Sequence, residues 1–126
     1  MGGLRSMDGA MGADVSEVLI EPASVPEDQP VALELPAADG SCPVIALRRG
    51  AELRVWHNAC PHAGRRLDYV PGKFLRQANR LVCAAHGAQI RLEDGACVDG
   101  PGRGGALAAL EVRPVPEGWR VRVPGR

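Results

Sequence analysis

Sixteen glycines and eleven prolines punctuate this chain of 126 residues so often that a long helix has nowhere to run. Glycine breaks regular elements through its conformational freedom and proline through its missing N–H, so the pattern favours short strands joined by many turns. Phe, Tyr and Trp make up 3% of the residues against 45% apolar overall, so the core must be built from Leu, Val, Ile and Ala. At this length the chain forms one small domain, whose marginal core a bound metal centre would help to stabilise. No run of eighteen apolar residues occurs, so no transmembrane span is expected.

Residues 31–35, 44–47 and 53–57 read as strands, the last with partial alternation, and turn signals at 38–41 and 49–51 separate them into a meander. Residues 80–83 and 89–92 flank a loop, and 93–95 turn a hairpin. A closing hairpin is expected from 109–113 and 119–123 across 116–118, with Trp119, Val121 and Val123 facing inward and Arg120 and Arg122 outward. Residues 67–77 are expected to hold a short helical or irregular turn. There are no internal repeats, and the expected fold class is all-β.

Two of the four cysteines and two of the three histidines fall between positions 60 and 86, as Cys60-Pro-His62 and Cys83-Ala-Ala-His86. Soft thiolates and borderline imidazoles gathered in this way point to a transition metal. Zinc accepts two cysteines with two histidines, but its finger sites keep like ligands together. The single-residue gap between Cys60 and His62 suits ligands directed to two different metal ions better than two ligands on one. Each histidine is followed closely by a glycine, Gly64 or Gly87, as expected where a backbone must turn sharply at a metal loop.

With the downstream Gly100-Pro101, these loops resemble the Rieske [2Fe–2S] family, in particular its small soluble ferredoxin-type members, over roughly residues 31–123. The resemblance implies an antiparallel β sandwich or meander carrying a small cluster-binding subdomain. It places the base at 15–56 and 104–126, the subdomain at about 57–103, and the whole domain at 15–126. It further implies one [2Fe–2S] cluster per chain, with Cys60 and Cys83 on one iron and His62 and His86 on the other. Two neutral imidazoles in place of two thiolates reduce the negative charge of the centre, which makes an electron easier to add. High-potential members have a serine and a tyrosine where this chain has Ala88 and Ile90, and a loop-to-loop disulfide where it has Gly64 and Ala85. The implied role is low-potential one-electron transfer from a flavin reductase to an oxygenase or similar acceptor. The alternatives are an accessory subunit resembling the nitrite reductase small subunit, or a structural zinc module. A complete oxygenase is not expected, since the chain has no room for a separate mononuclear-iron domain.

The leftover cysteines, Cys42 and Cys97, read as buried free thiols in a reducing, cytoplasmic setting. Residues 1–14, rich in Gly and Met, read as a disordered leader with later candidate starts at Met7 and Met11. His57, Trp56 and Tyr69 read as strand or packing residues, and Asp68 as a group suited to ordering the first loop. The net charge of zero hides an asymmetry. Residues 1–47 carry one Arg and eight acids, whereas residues 48–91 carry nine Lys or Arg and two acids. The basic third is either a solvated face or a dock for an acidic redox partner. Neither nucleic acid nor membrane is an expected partner, and aromatic residues for base stacking are almost missing.

Overall fold

An apolar run of four, Val44 to Leu47, suits a strand that is covered on both faces. The computed structural model describes residues 15–38, 40–59, 66–68, 72–83 and 87–124, and it shows that arrangement. The expected leader at 1–14 lies outside the described residues. Strands β2 (Val31–Ala37), β3 (Gly40–Arg49) and β4 (Glu52–His57) form an antiparallel meander with β3 in the middle. Val44 and Ala46 of β3 enter one core with Leu35, Leu53 and Val55. Ile45 and Leu47 point the other way, into a second core with Trp56, Leu81 and Ile90. The two-residue period of a strand thus makes β3 the wall between two cores. It also explains why β4 alternates only in part, since Leu53 and Val55 serve one core and Trp56 the other.

The first core is closed by a second antiparallel sheet. Here β1 (Val15–Ile20), β10 (Gly118–Pro124) and β9 (Val112–Val115) stand in that order. Trp119, Val121 and Val123 face inward as expected, and the Trp119 indole donates to the Ala51 carbonyl at 3.2 Å. The other core is closed by a third sheet, in which β5 (Leu75–Gln77), β6 (Arg80–Val82), β7 (Gln89–Arg91) and β8 (Cys97–Asp99) run in sequence order. All strand pairs within the three sheets are antiparallel, so the molecule is all-β, and the 3-10 turn Pro22–Ser24 is the one helical segment among the described residues.

Two expectations are revised and one strand is added. The penultimate strand begins at Val112 instead of 109, because the preceding residues bind β4: Ala109 bridges Trp56 and the Leu110 N–H donates to the Val55 carbonyl at 2.9 Å. Pro114 is tolerated in β9 because that strand is an edge. The stretch 67–77, expected to hold a helical or irregular turn, ends in the strand Leu75–Gln77, whose hairpin to β6 places Ala78 at φ 53° with its carbonyl accepting from Arg76 Nε. Strand β1, unassigned from sequence, pairs along its whole length with β10.

Candidate metal centre

Strands β6 and β7 pair as a hairpin, and the second Cys/His pair falls between them in sequence. Cys83 follows β6 directly and is 1% exposed, as a member of the second core. Its N–H donates to the Ala88 carbonyl at 2.7 Å, and its own carbonyl accepts from the Gly87 N–H at 2.8 Å. These bonds cinch the neck of the loop on either side of 84–86. Gly87 has φ +80°, the left-handed conformation that a side chain disfavours, as the glycine after His86 led us to expect. His86 itself, together with Cys60, His62 and Tyr69, lies outside the described residues. Of the four expected ligands the structure therefore places Cys83.

The third turn, at Gly100-Pro101, presses on that neck. A Cβ on Gly100 would lie 2.8 Å from the Gly87 carbonyl oxygen and 3.1 Å from the Ala88 Cα, and Gly100 has φ +77°. Beside it, the buried free thiol of Cys97 lies 3.5 Å from the Asp99 carbonyl oxygen and 3.6 Å from that of Pro101. Cys42 is half-buried, less covered than expected, and packs against the other core. The two residues thus belong to different cores, divided by β3.

The first loop is anchored at both ends by side chains. The Asn58 N–H donates to the Pro43 carbonyl on β3 at 2.9 Å. Its side-chain oxygen accepts from the Leu67 N–H at 2.8 Å, and its Nδ2 donates to Asp68 Oδ1 at 3.0 Å. The Asp68 side chain is fully buried and also accepts from Arg66 Nε and Nη2 and from the Gly72 N–H. Burial would push its carboxyl up, but the bonds from Arg66, Gly72 and Asn58 outweigh that and hold it at about 2. The sequence singled out Asp68. It did not single out Asn58 as an anchor; the available signal was a small amide ten residues before an acid, with the ligand loop between them.

The acidic and basic blocks of the sequence meet each other in the fold. Glu27 pairs with Arg48 at 3.0 Å, Asp28 with Arg49 at 2.8 Å and Arg76 at 3.4 Å, and Glu34 with Arg66 at 2.7 Å. Arg54 and Arg91 have acidic partners in Glu52 and Asp94. Lys73 and Arg80 are the cations of the basic third without an ion pair among the described residues. His57 is half-buried in β4, and Trp56 is buried as a packing residue.

The profile of the Rieske [2Fe–2S] domain matches residues 16–115. No curated protein matches the sequence. Among solved structures, the chain is similar to the terminal oxygenase of carbazole 1,9a-dioxygenase from Novosphingobium sp. KA1, with a TM-score of 0.66 and 23% identity over 90% of this chain. It spans only 30% of that oxygenase. It is also similar to the ferredoxin of carbazole 1,9a-dioxygenase from Nocardioides aromaticivorans IC177, with a TM-score of 0.61 and 20% identity, over 86% of this chain and 98% of that one. A third similar structure is a chain of the reduced complex between oxygenase and ferredoxin in carbazole 1,9a-dioxygenase, with a TM-score of 0.65 and 20% identity, over 86% of this chain and 28% of that one.

Proposed function

Because the chain belongs to the Rieske [2Fe–2S] domain family, we propose that it is a ferredoxin-type electron carrier whose cluster is held by Cys60, His62, Cys83 and His86. When bound, the cluster takes up and passes on one electron at a time. The observation that carries the reading is the seat built around Cys83. The buried Cys83 is bonded through its backbone to Gly87 and Ala88, and the turn at Gly100 comes so close to those residues that no side chain fits there. The donor set fits the group: two thiolates and two imidazoles are what a Rieske centre takes.

The acceptor we assign is an oxygenase and the donor a flavin reductase. Support for the acceptor comes from the likeness to a ferredoxin of nearly the same length and from the oxygenase–ferredoxin complex among the similar structures. Among the described residues, no helix is long and apolar enough to cross a membrane. Ala88 and Ile90, where high-potential relatives carry hydroxyls, are buried and give the sulfurs no side-chain hydrogen bond. Such bonds are a main control on potential, so this centre belongs near the low end of the Rieske range, on the order of −150 mV instead of +300 mV.

Protein prepared without air should contain two irons and two acid-labile sulfides per chain and show the EPR spectrum of a reduced Rieske centre. Cys83→Ser should lose both the iron and the spectrum. One zinc with no labile sulfide would overturn the assignment, and a potential above about +100 mV would overturn its low-potential part.

A further inference from the structure

We propose that Asn58 and Asp68 are positioning residues for the first ligand loop, braced from behind by Arg66 and Glu34; this rests on the ligand assignment above. The contacts close a ring. Glu34 of β2 stands opposite Pro43 of β3 in the sheet register, and the Pro43 carbonyl accepts the Asn58 N–H. Asn58 Nδ2 donates to Asp68, Asp68 accepts from Arg66, and Arg66 Nη1 donates to Glu34 Oε2 at 2.7 Å. The ring passes through the residues that precede and follow 59–65, the segment containing Cys60 and His62.

The chemistry of Asn58 suits it to this task. One buried amide, in a residue 2% exposed, accepts from the backbone at the end of the loop and donates to the carboxylate that follows. The two ends are therefore held together whether or not the ligands are engaged. Asp68 extends the clamp forward, since Oδ2 also accepts from the Gly72 N–H at 3.0 Å. Its bonds to Arg66 are charge-assisted and paired, the geometry that fixes direction as well as distance. Groups that orient metal ligands in this way typically account for about 10–100-fold in metal affinity.

Iron release to the ferrous chelator bathophenanthroline, with the EPR spectrum and the potential of the same samples, tests the proposal. Asp68→Asn keeps the shape of the side chain, and Asn58→Asp sets two carboxylates against each other. Each should release iron at least about tenfold faster than wild type. The exchange of both together restores a donor–acceptor pair and should recover part of the loss. Arg66→Lys keeps the charge, loses the paired bonds and should fall between. Asp68→Asn should also raise the potential, because a negative charge near the loop is removed, and a residue that merely stabilised the fold would not do this. Glu27→Gln, at an exposed ion pair elsewhere, should match wild type. Variants that release iron at the wild-type rate with an unchanged potential would overturn this proposal alone. A wild-type protein that takes no cluster would overturn the ligand assignment and this proposal with it.

Discussion

The Asp68 carboxylate stays ionised where burial alone would favour the neutral acid, and that has a consequence for acid stability. Its value in the folded protein is about 2, against 3.8 for the free side chain. A depressed acid contributes stability that is fully present above the unfolded value and is lost as pH falls through the folded one. The window therefore runs from about pH 4 down to about pH 2, and the contribution at neutral pH is on the order of 2 kcal/mol. Denaturant unfolding of wild type and Asp68→Asn across pH 2 to 6 should show a difference that is widest above pH 5 and closes as pH approaches 2. A constant difference would mean that the carboxylate charge is not what the network uses. Asp68 was visible in the sequence as an acid beside the loop. Its neighbours were not, because Glu34 reaches the site from 32 residues away through Arg66.

Among the elements, the hairpins were legible where hydrophobic pattern and turn residues agreed. The run Val44 to Leu47, the inward set of Trp119, Val121 and Val123, and the turns at 49–51 and 116–118 all stand where they were read. Strands β5 and β8 were not assigned from sequence, because three residues are too few to show a period and the sheet is specified by its neighbours. The third turn was legible as a Gly-Pro pair, but its pressure on Gly87 was not. That contact predicts a graded response to alanine. Gly50 has φ +61° with nothing within 4 Å of an added Cβ, so Gly50→Ala meets conformational strain alone, about 1–2 kcal/mol. Gly100→Ala meets similar strain and backbone atoms at 2.8 Å and 3.1 Å. Its melting temperature should fall clearly below that of Gly50→Ala, and its visible circular dichroism should change while that of Gly50→Ala does not. Equal behaviour of the two would show that the third turn yields freely.

For the whole molecule the informative property is how the charge is spent. The acidic first third folds back on the basic middle, through pairs separated by 21 to 48 residues that no local pattern announces. Six cations of the basic third have acidic partners within the chain, so the positive field that the sequence offered to a redox partner is largely cancelled at short range. Strong electrostatic steering makes association fall steeply with ionic strength. Here, electron transfer to the proposed oxygenase partner should change by less than about threefold between 0.05 and 0.5 M salt, since the basic third offers screening little unpaired charge among the described residues. Reversing Arg66 cannot test this, because the same change breaks the loop anchor at Asp68. Lys73→Glu with Arg80→Glu is the cleaner probe, as neither cation has an ion pair among the described residues. A small effect of that double reversal, together with weak salt dependence, fits recognition by shape and local contacts near the cluster loops. A steep fall in rate with salt, reproduced by the reversal at low salt, would instead show that the few unpaired cations are enough to steer docking.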